Sequence, residues 1–347
     1  MRIFVGMDLA GKTVKCRSLD ETGARGGRRT LSWDQEEWRR YFEEWEGEEV
    51  EVAFETSPEA YRAKAILDGL GVKYYPFHAA SFGAVTRSKR KTDKIDAEKI
   101  CRALRSDGLP ERVVLPEKEE ARLRNLVQER EAFLEVVVEM VNRVKGLGRQ
   151  WGVDLPTFCR DNHPGKWWEE AIESFGGVER GEVRRAWMVT LAALQGLDEL
   201  EEEIKHQVKK AGLQKEVEQL KTIPGIGEVI APGVAAYLGN GRRFRTSRKF
   251  GGYTGMTPTV GQTGVQAARL GHITHEGPAV LRRLLVQAAR AAVRGKQLEH
   301  TRWKRWFERL KKRRGWKIAI VGLARKIAVV CKALIRDGTQ WDPRRLQ

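Results

Sequence analysis

The sequence is poor in cysteine and has no long apolar run. Its 347 residues include four cysteines, Cys16, Cys101, Cys159 and Cys331, and their spacings match neither a zinc site nor a disulfide framework. Each is predicted to be a small buried residue in a reducing compartment. No window reaches the roughly 20 apolar residues of a membrane span, and the first residues lack the apolar core of a signal peptide. We therefore expect a cytoplasmic protein with no membrane partner.

Acidic residues are scarce in the last third of the chain. Residues 240–347 contain 26 Lys and Arg against 5 Asp and Glu, a surplus of 21 that exceeds the whole-chain net charge of +17. The hydrophobic fraction of 41% is enough to build a core, so this is not a disordered chain. A protein this basic usually binds a polyanion, and we expect that site in the last third.

Short apolar runs alternate with helical patterns up to about residue 109. Strands are predicted at residues 2–7, 14–19, 49–54 and 72–77, and helices at 32–48 and 61–70. This alternation predicts an α/β layer. Asp8 and Glu55 each follow directly on a predicted strand, where a carboxylate is costly without a partner. For Asp8, stabilisation of a turn is the alternative role.

The stretch RSKRKTDKIDAEK, residues 87–99, places two carboxylates three residues apart, at Asp93 and Asp96. On a helix both lie on one face, where like charges repel unless a cation lies between them. A bound divalent ion fits that requirement, and an ordinary surface helix of mixed charge is the alternative. The preceding basic residues are interpreted as phosphate contacts beside such a metal: Arg87, Lys89, Arg90 and Lys91.

Four acids thus come from three separate elements: Asp8, Glu55, Asp93 and Asp96. Parallel strands place their ends at one edge of a sheet, so these carboxylates are expected to converge. Converging carboxylates favour Mg²⁺ or Mn²⁺. Two such ions can clamp a phosphodiester, activating the nucleophile and stabilising the leaving oxygen.

Two long periodic segments, residues 115–151 and about 182–220, predict antiparallel helices that form a helical hairpin or coiled-coil arm. A Gly-rich turn, IPGIG at residues 223–227, then opens into a helix predicted at 228–238 and resembles a helix-hairpin-helix. Backbone N–H groups at Gly225 and Gly227 are predicted to approach a phosphate. An ordinary corner between two helices is the alternative.

Basic and aromatic residues interleave in the last third, a composition typical of nucleic-acid surfaces. Helices are predicted at residues 277–294 and 319–335, with Trp303, Trp306, Phe307 and Trp316 between them among nine Lys and Arg. A Gly/Thr-rich loop at 255–264 offers a hydroxyl nucleophile position, although most such hydroxyls only bond the backbone. The residues predicted to contact nucleic acid here are Arg242, Arg243, Arg245, Arg248, Lys249, Arg282, Arg283, Lys304 and Arg305.

The order of these motifs resembles the DEDD transposases, insertion-sequence recombinases related to the Piv DNA invertases. The resemblance rests on Asp8, Glu55, the KTDKIDA run at 91–97, IPGIG at 223–227 and GMTP at 255–258, and covers about residues 4–341. It implies an N-terminal RuvC-like domain of RNase H fold (1–112), a coiled-coil arm (113–219) and a mostly helical transposase domain (220–347). It also implies that Asp8, Glu55, Asp93 and Asp96 form the metal-binding tetrad.

The same resemblance implies that the protein recombines donor and target DNA with a structured bridge RNA. Family members attack DNA with a serine before a glycine in the loop after the Gly-Leu-x-Pro motif; here that pair is Thr263-Gly264. Because the tetrad and Thr263 lie in different domains, we expect a composite site in a homodimer or homotetramer. The alternatives are a metal-dependent RuvC-like junction nuclease, in which water attacks, and a catalytically impaired nucleic-acid-binding relative.

Overall fold

The computed structural model describes residues 1–24, 26–78, 82, 97–158, 164–261, 269–299 and 301–342. The chain divides into two compact units, Met1–Pro116 and Glu117–Gln347. The first is a mixed α/β sheet with helices and the second is predominantly helical, which confirms the predicted fold class at that level. The division into three domains stays a prediction.

The first unit is built on a five-stranded sheet in the order β3-β2-β1-β4-β5. Its elements are β1 (Arg2–Leu9), β2 (Val14–Asp20), β3 (Arg28–Leu31), α1 (Gln35–Glu43), β4 (Glu49–Glu55), α2 (Ala60–Gly69), β5 (Lys73–Phe77) and α3 (Ala97–Arg105). The central strand β1 runs antiparallel to β2 and parallel to β4, and β4 runs parallel to β5. The pattern of residues 28–31 does not predict a strand, because three of the four are exposed.

The two faces of β1 pack against different partners because alternate side chains point to opposite sides of a sheet. Ile3, Val5 and Met7 belong to a core with α1 and α2. On the other face, Phe4 lies with Ile100 and Cys101 of α3. Gly6 allows α3 to approach this face closely, since a Cβ at Gly6 would lie 2.2 Å from the Ala97 carbonyl oxygen.

The second unit begins with an antiparallel pair of long helices, α4 (Lys118–Trp151) and α6 (Gly177–Lys210), with α5 (Pro164–Ser174) between them in the chain. Gln207 at the end of α6 donates to the carbonyl oxygen of Glu119 at the start of α4, at 3.0 Å. The predicted helix over 182–220 is wrong in one respect: α6 ends at Lys210 and α7 (Gln214–Lys221) follows. Gly212 adopts φ +67° between them, and such a residue ends a helix.

A buried ionic network joins α4 to α6. The Arg130 guanidinium lies 2.8 Å from the Glu131 carboxylate and 2.9 Å from that of Glu201. Arg283 approaches Glu131 at 3.7 Å. Since Glu131 is only 1% exposed, its charge depends on these cations.

The helices after α7 pack into one core around α10 and α12. The elements are α8 (Ile230–Leu238), α9 (Ser247–Tyr253), β6 (Pro258–Gly261), β7 (Arg269–Ile273), α10 (Ala279–Arg294), a 3₁₀ turn (Lys296–Leu298), α11 (Arg302–Arg314) and α12 (Trp316–Asp337). The predicted loop at 255–264 is corrected in part, because residues 258–261 form β6 and pair with β7. The helix predicted from residue 228 begins at Ile230.

The predicted burial is confirmed for Cys16, Cys101 and Cys331, which are buried and free, while Cys159 lies outside the described residues. Burial raises the pKa of Cys101 to about 11 and that of Cys16 to about 12. Within the ranges that the structure describes, no helix is long and apolar enough to cross a membrane.

Candidate metal centre and nucleic-acid interface

Asp8 and Glu55 lie next to each other on the central strands of the sheet. In the parallel β1–β4 pair, Met7 is opposite Phe54, so the next residue on each strand, Asp8 and Glu55, projects to the same face. Burial, opposed by His78 and reinforced by the Asp8 carboxylate, raises the pKa of Glu55. Desolvation and a neighbouring like charge both raise the pKa of a carboxyl group, and a bound cation would oppose both effects.

The first turn of α3 lies on this same face. The Ala97 carbonyl contacts Gly6, which is two residues before Asp8 on β1. Asp93 and Asp96 lie outside the described residues, as do Arg87, Lys89, Arg90 and Lys91, although Asp96 directly precedes Ala97 in the chain. The described side chains include no group of three or more metal-binding residues. Asp8 and Glu55 nevertheless fit a hard divalent ion, since adjacent carboxylate oxygens are its preferred ligands.

The glycines of the IPGIG turn have different surroundings. Gly225 adopts φ +84°, and a Cβ there would lie 2.1 Å from the Ala288 carbonyl oxygen of α10, so close packing requires this glycine. Gly227 is exposed, and a Cβ there would meet nothing within 4 Å. Their contact with phosphate stays a prediction for both, and the surroundings favour Gly227.

The first basic segment has both exposed and internally bonded cations. Arg243 donates to the Tyr237 carbonyl oxygen at 3.2 Å and lies over the Phe244 ring. The aromatic residues do not form the expected surface: Phe250 is fully buried and packs edge-to-face against Phe244. The cations of this segment that are exposed are Arg242, Arg245, Arg248 and Lys249.

Three other predicted contacts also bond to protein groups. Arg282 donates to the Gly277 carbonyl oxygen at 2.7 Å. Arg283 pairs with Glu135 and lies near Glu131. Lys304 lies 3.1 Å from the Glu299 carboxylate, whereas Arg305 is exposed. Sequence patterns place these cations on outer helix faces but do not reveal such partners.

The aromatic residues of 302–317 are mostly internal, which corrects the expected stacking surface. Trp303 and Phe307 are buried in the core, and Lys326 covers the half-buried Trp306 ring at 4.4 Å. Trp316, at the start of α12, is 43% exposed. It is therefore the member of this set with an accessible ring for a nucleic-acid base.

Trp316 lies within a basic corner whose cations were not among the predicted nucleic-acid contacts. Residues 309–317 contain six Lys and Arg and no acid, and they cover the end of α11 and the start of α12. The exposed cations that define the basic corner are Arg309, Lys311, Lys312, Arg313, Arg314 and Lys317. The run of positive charges at residues 309–317 could have indicated this surface from the sequence alone. The structure adds that the run is divided between two helices at Gly315.

Thr263 and Gly264 lie outside the described residues. The described strands on either side, β6 and β7, pair antiparallel with Gly261 opposite Arg269. Residues 262–268 are therefore the connection between the two strands of a hairpin. The hydroxyl predicted as the nucleophile belongs to that connection.

Comparison with known proteins finds two transposase family models that match separate segments of the chain. A DEDD-type IS110 transposase model matches residues 5–150, and the model of the transposase IS116/IS110/IS902 family matches residues 217–304. A probable family 20 transposase of Pseudomonas aeruginosa is 29% identical over 261 residues, covering 73% of this chain and 74% of the relative.

Two further relatives have similar coverage. The transposase for insertion sequence element IS1328 of Yersinia enterocolitica is 26% identical over 262 residues, covering 73% of this chain and 74% of its own. The transposase for insertion sequence element IS1111A of Coxiella burnetii is 28% identical over 255 residues, covering 71% and 66%. The matched segments define an enzyme that cleaves DNA and transfers strands. The chain belongs to the IS110 family of insertion-sequence transposases.

Proposed function

We propose that this transposase cleaves and joins DNA at a divalent-metal site formed by Asp8, Glu55, Asp93 and Asp96, with Thr263 as the nucleophile. The observation that carries the proposal is the adjacent placement of Asp8 and Glu55, on the face where α3 begins. The strand order, with β1 central and parallel only to β4, supports an RNase H-like, RuvC-related domain. The sequence run KTDKIDA supplies the other two acids.

The proposed step is a phosphoryl transfer. The Thr263 oxygen forms a bond to phosphorus as the bond from phosphorus to a deoxyribose oxygen breaks. The hydroxyl gives up its proton and the leaving oxygen gains one, so charge and protons balance. When bound, Mg²⁺ or Mn²⁺ supplies Lewis acidity at the scissile phosphate. Asp8 and Glu55 would hold that cation, and without it their adjacent negative charges would repel the DNA phosphate.

The remaining parts of the proposal follow the family resemblance. A structured bridge RNA pairs with donor and target DNA, and the residues 113–219 form a coiled-coil arm between the RuvC-like and transposase domains. The antiparallel contact of α4 with α6 supports the arm. We place the protein in the cytoplasm. Because the acids and Thr263 belong to different domains, the protein acts as a homodimer or homotetramer.

Trapping of the covalent intermediate tests the nucleophile. Full-length protein is incubated with Mg²⁺, a nicked duplex carrying the ends of the element, and RNA transcribed from its flanking non-coding DNA. Wild type and Thr263→Ser are expected to give protein–DNA adducts on denaturing gels, and Thr263→Ala none. Normal strand cleavage by wild type without any adduct would contradict the covalent step.

A metal-dependent junction nuclease is the second candidate function. It is favoured by one observation: the nucleophile position holds Thr263 where the family has serine, and the extra methyl restricts its rotamers. In that case water attacks, so Thr263→Ala keeps cleavage activity while Asp93→Ala loses it. The two functions therefore differ in whether wild type forms an adduct and in whether Thr263→Ala still cleaves DNA.

The basic corner is proposed as a phosphate-contacting surface, and salt dependence tests it. Each phosphate contact contributes about 0.9 to the slope of log affinity against log salt on duplex DNA. The double variant Lys312→Gln, Arg313→Gln is expected to lower that slope by about 1.8. The matched control is Lys209→Gln, Lys210→Gln, which removes two exposed charges at the end of α6. Equal slopes for wild type and the corner variant would remove this surface from the interface.

A further inference from the structure

The β6–β7 hairpin stands on two chain segments that lie in backbone contact. Residues 253–257 lead into β6 and residues 274–277 lead out of β7; we call them the two legs of the hairpin. The amide of Thr274 donates to the Thr257 carbonyl oxygen at 2.9 Å, and that of His275 donates to the Gly255 carbonyl oxygen at 3.1 Å. These two bonds tie the legs together at the base of the hairpin.

Two glycines make this contact possible. A Cβ at Gly255 would lie 2.5 Å from the Glu276 carbonyl oxygen, and a Cβ at Gly277 would lie 2.0 Å from the Tyr253 carbonyl oxygen. Both have positive φ, +67° and +123°, which other residues rarely adopt. The legs therefore have little freedom to separate or slide.

One side chain from outside the hairpin bonds to both legs. The Nη1 atom of Arg282 donates to the Gly277 carbonyl oxygen at 2.7 Å and to that of Thr254 at 3.4 Å. Arg282 belongs to α10, whose inner residues Leu281, Leu284 and Leu285 are buried in the core. The guanidinium therefore fixes the base of the hairpin to the rigid helical body, and its charge strengthens both bonds.

We propose that Arg282 is a positioning residue for strand transfer, which holds the base of the β6–β7 hairpin in place. This rests on the proposed function, since Thr263 follows β6 in the sequence. Arg282 acts through the two leg carbonyls and not through a phosphate. A misplacement of about 1 Å at a reacting group can cost about 100-fold in rate, so a loosened base lowers turnover without weakening DNA binding.

Two substitutions separate this role from a phosphate contact. Arg282→Lys keeps the charge, but its side chain ends one bond short of the Nη1 position that bonds both carbonyls, and Arg282→Met keeps the apolar stem alone. Both are expected to slow adduct formation by at least about tenfold, while Arg282→Lys retains wild-type DNA affinity and salt slope. Arg290→Lys and Arg290→Met, on the exposed face of the same helix, are the matched controls and keep the wild-type rate.

Amide hydrogen exchange gives a readout that does not depend on the nucleophile. Both Arg282 variants are expected to speed exchange at Thr274 and His275, with α10 and α12 amides unchanged. Wild-type rate in Arg282→Lys, together with a salt slope lowered by about one in Arg282→Met, would identify a phosphate contact and overturn the proposal. Unchanged exchange at Thr274 and His275 would also overturn it. If Thr263→Ala still forms adducts, the nucleophile is wrong, and exchange alone decides the role of Arg282.

Discussion

Replacing Glu55 with glutamine is expected to lower Mg²⁺-dependent strand cleavage by about 10²–10³-fold, the scale for losing one preorganised electrostatic group. The amide keeps the size of the side chain but cannot neutralise a divalent ion. Glu51→Gln is the matched control, because Glu51 is half-buried on the same strand and projects to the same face. Cleavage is measured with the nicked duplex at saturating Mg²⁺. Normal cleavage by Glu55→Gln would place the metal elsewhere.

The pH dependence of stability provides a second reading of the same substitution. Burial and the Asp8 carboxylate raise the pKa of Glu55 in the folded protein. Its contribution is therefore fully present below the ordinary glutamate pKa of about 4.3 and is lost as pH rises through the raised value. In metal-free wild type, the melting temperature should therefore fall as pH rises through the raised pKa of Glu55. The melting temperature of Glu55→Gln should not show this fall. Mg²⁺ should raise the wild-type melting temperature at pH 7 and leave that of Glu55→Gln unchanged.

Gly6→Ala is expected to destabilise the first unit. The added Cβ would lie 2.2 Å from the Ala97 carbonyl oxygen and 2.4 Å from the Cys101 amide nitrogen, and a backbone cannot move aside as a flexible side chain can. Overpacking of this kind costs about 1–3 kcal/mol or more. Because α3 must shift relative to Asp8, cleavage should also fall, as measured by chemical denaturation and by the nicked-duplex assay.

Gly69→Ala is the control for that substitution. Gly69 ends α2, and a Cβ there would meet nothing within 4 Å, so the free energy of unfolding should stay within about 1 kcal/mol of wild type. Wild-type stability in Gly6→Ala would mean that α3 does not rest on the centre of the sheet.

The position of Asp8 and Glu55 could be predicted from the sequence for a simple reason. Each follows an apolar run that is long enough for one buried strand, and parallel neighbours bring their ends together. The structure adds that Met7 and Phe54 are paired across β1 and β4, and that Asp8 and Glu55 directly follow them. For Asp93, Asp96 and Thr263, which the described residues do not include, sequence and family resemblance remain the basis of the assignment.

The roles of the cations were harder to predict. Arg243 and Arg282 both donate to backbone carbonyl oxygens of distant turns, and a carbonyl leaves no mark on the sequence. Likewise Trp303, Phe307 and Phe250 interleave with cations in the chain but enter the core. An amphipathic helix rich in Lys and Arg has aromatic residues on its inner face for packing, and composition alone does not distinguish this from a stacking surface.

The ionic network between α4 and α6 has a consequence for how the two helices align along their length. Each helix has 34 residues, about 50 Å at 1.5 Å per residue. Sliding one helix past the other by a turn, about 5.4 Å, would separate Arg130 from Glu201 and leave the buried Arg130 guanidinium with one carboxylate partner in place of two. The penalty for an uncompensated buried charge is several kcal/mol. The network therefore favours a single register of the α4–α6 pair, so the distance between the two ends of the pair stays constant.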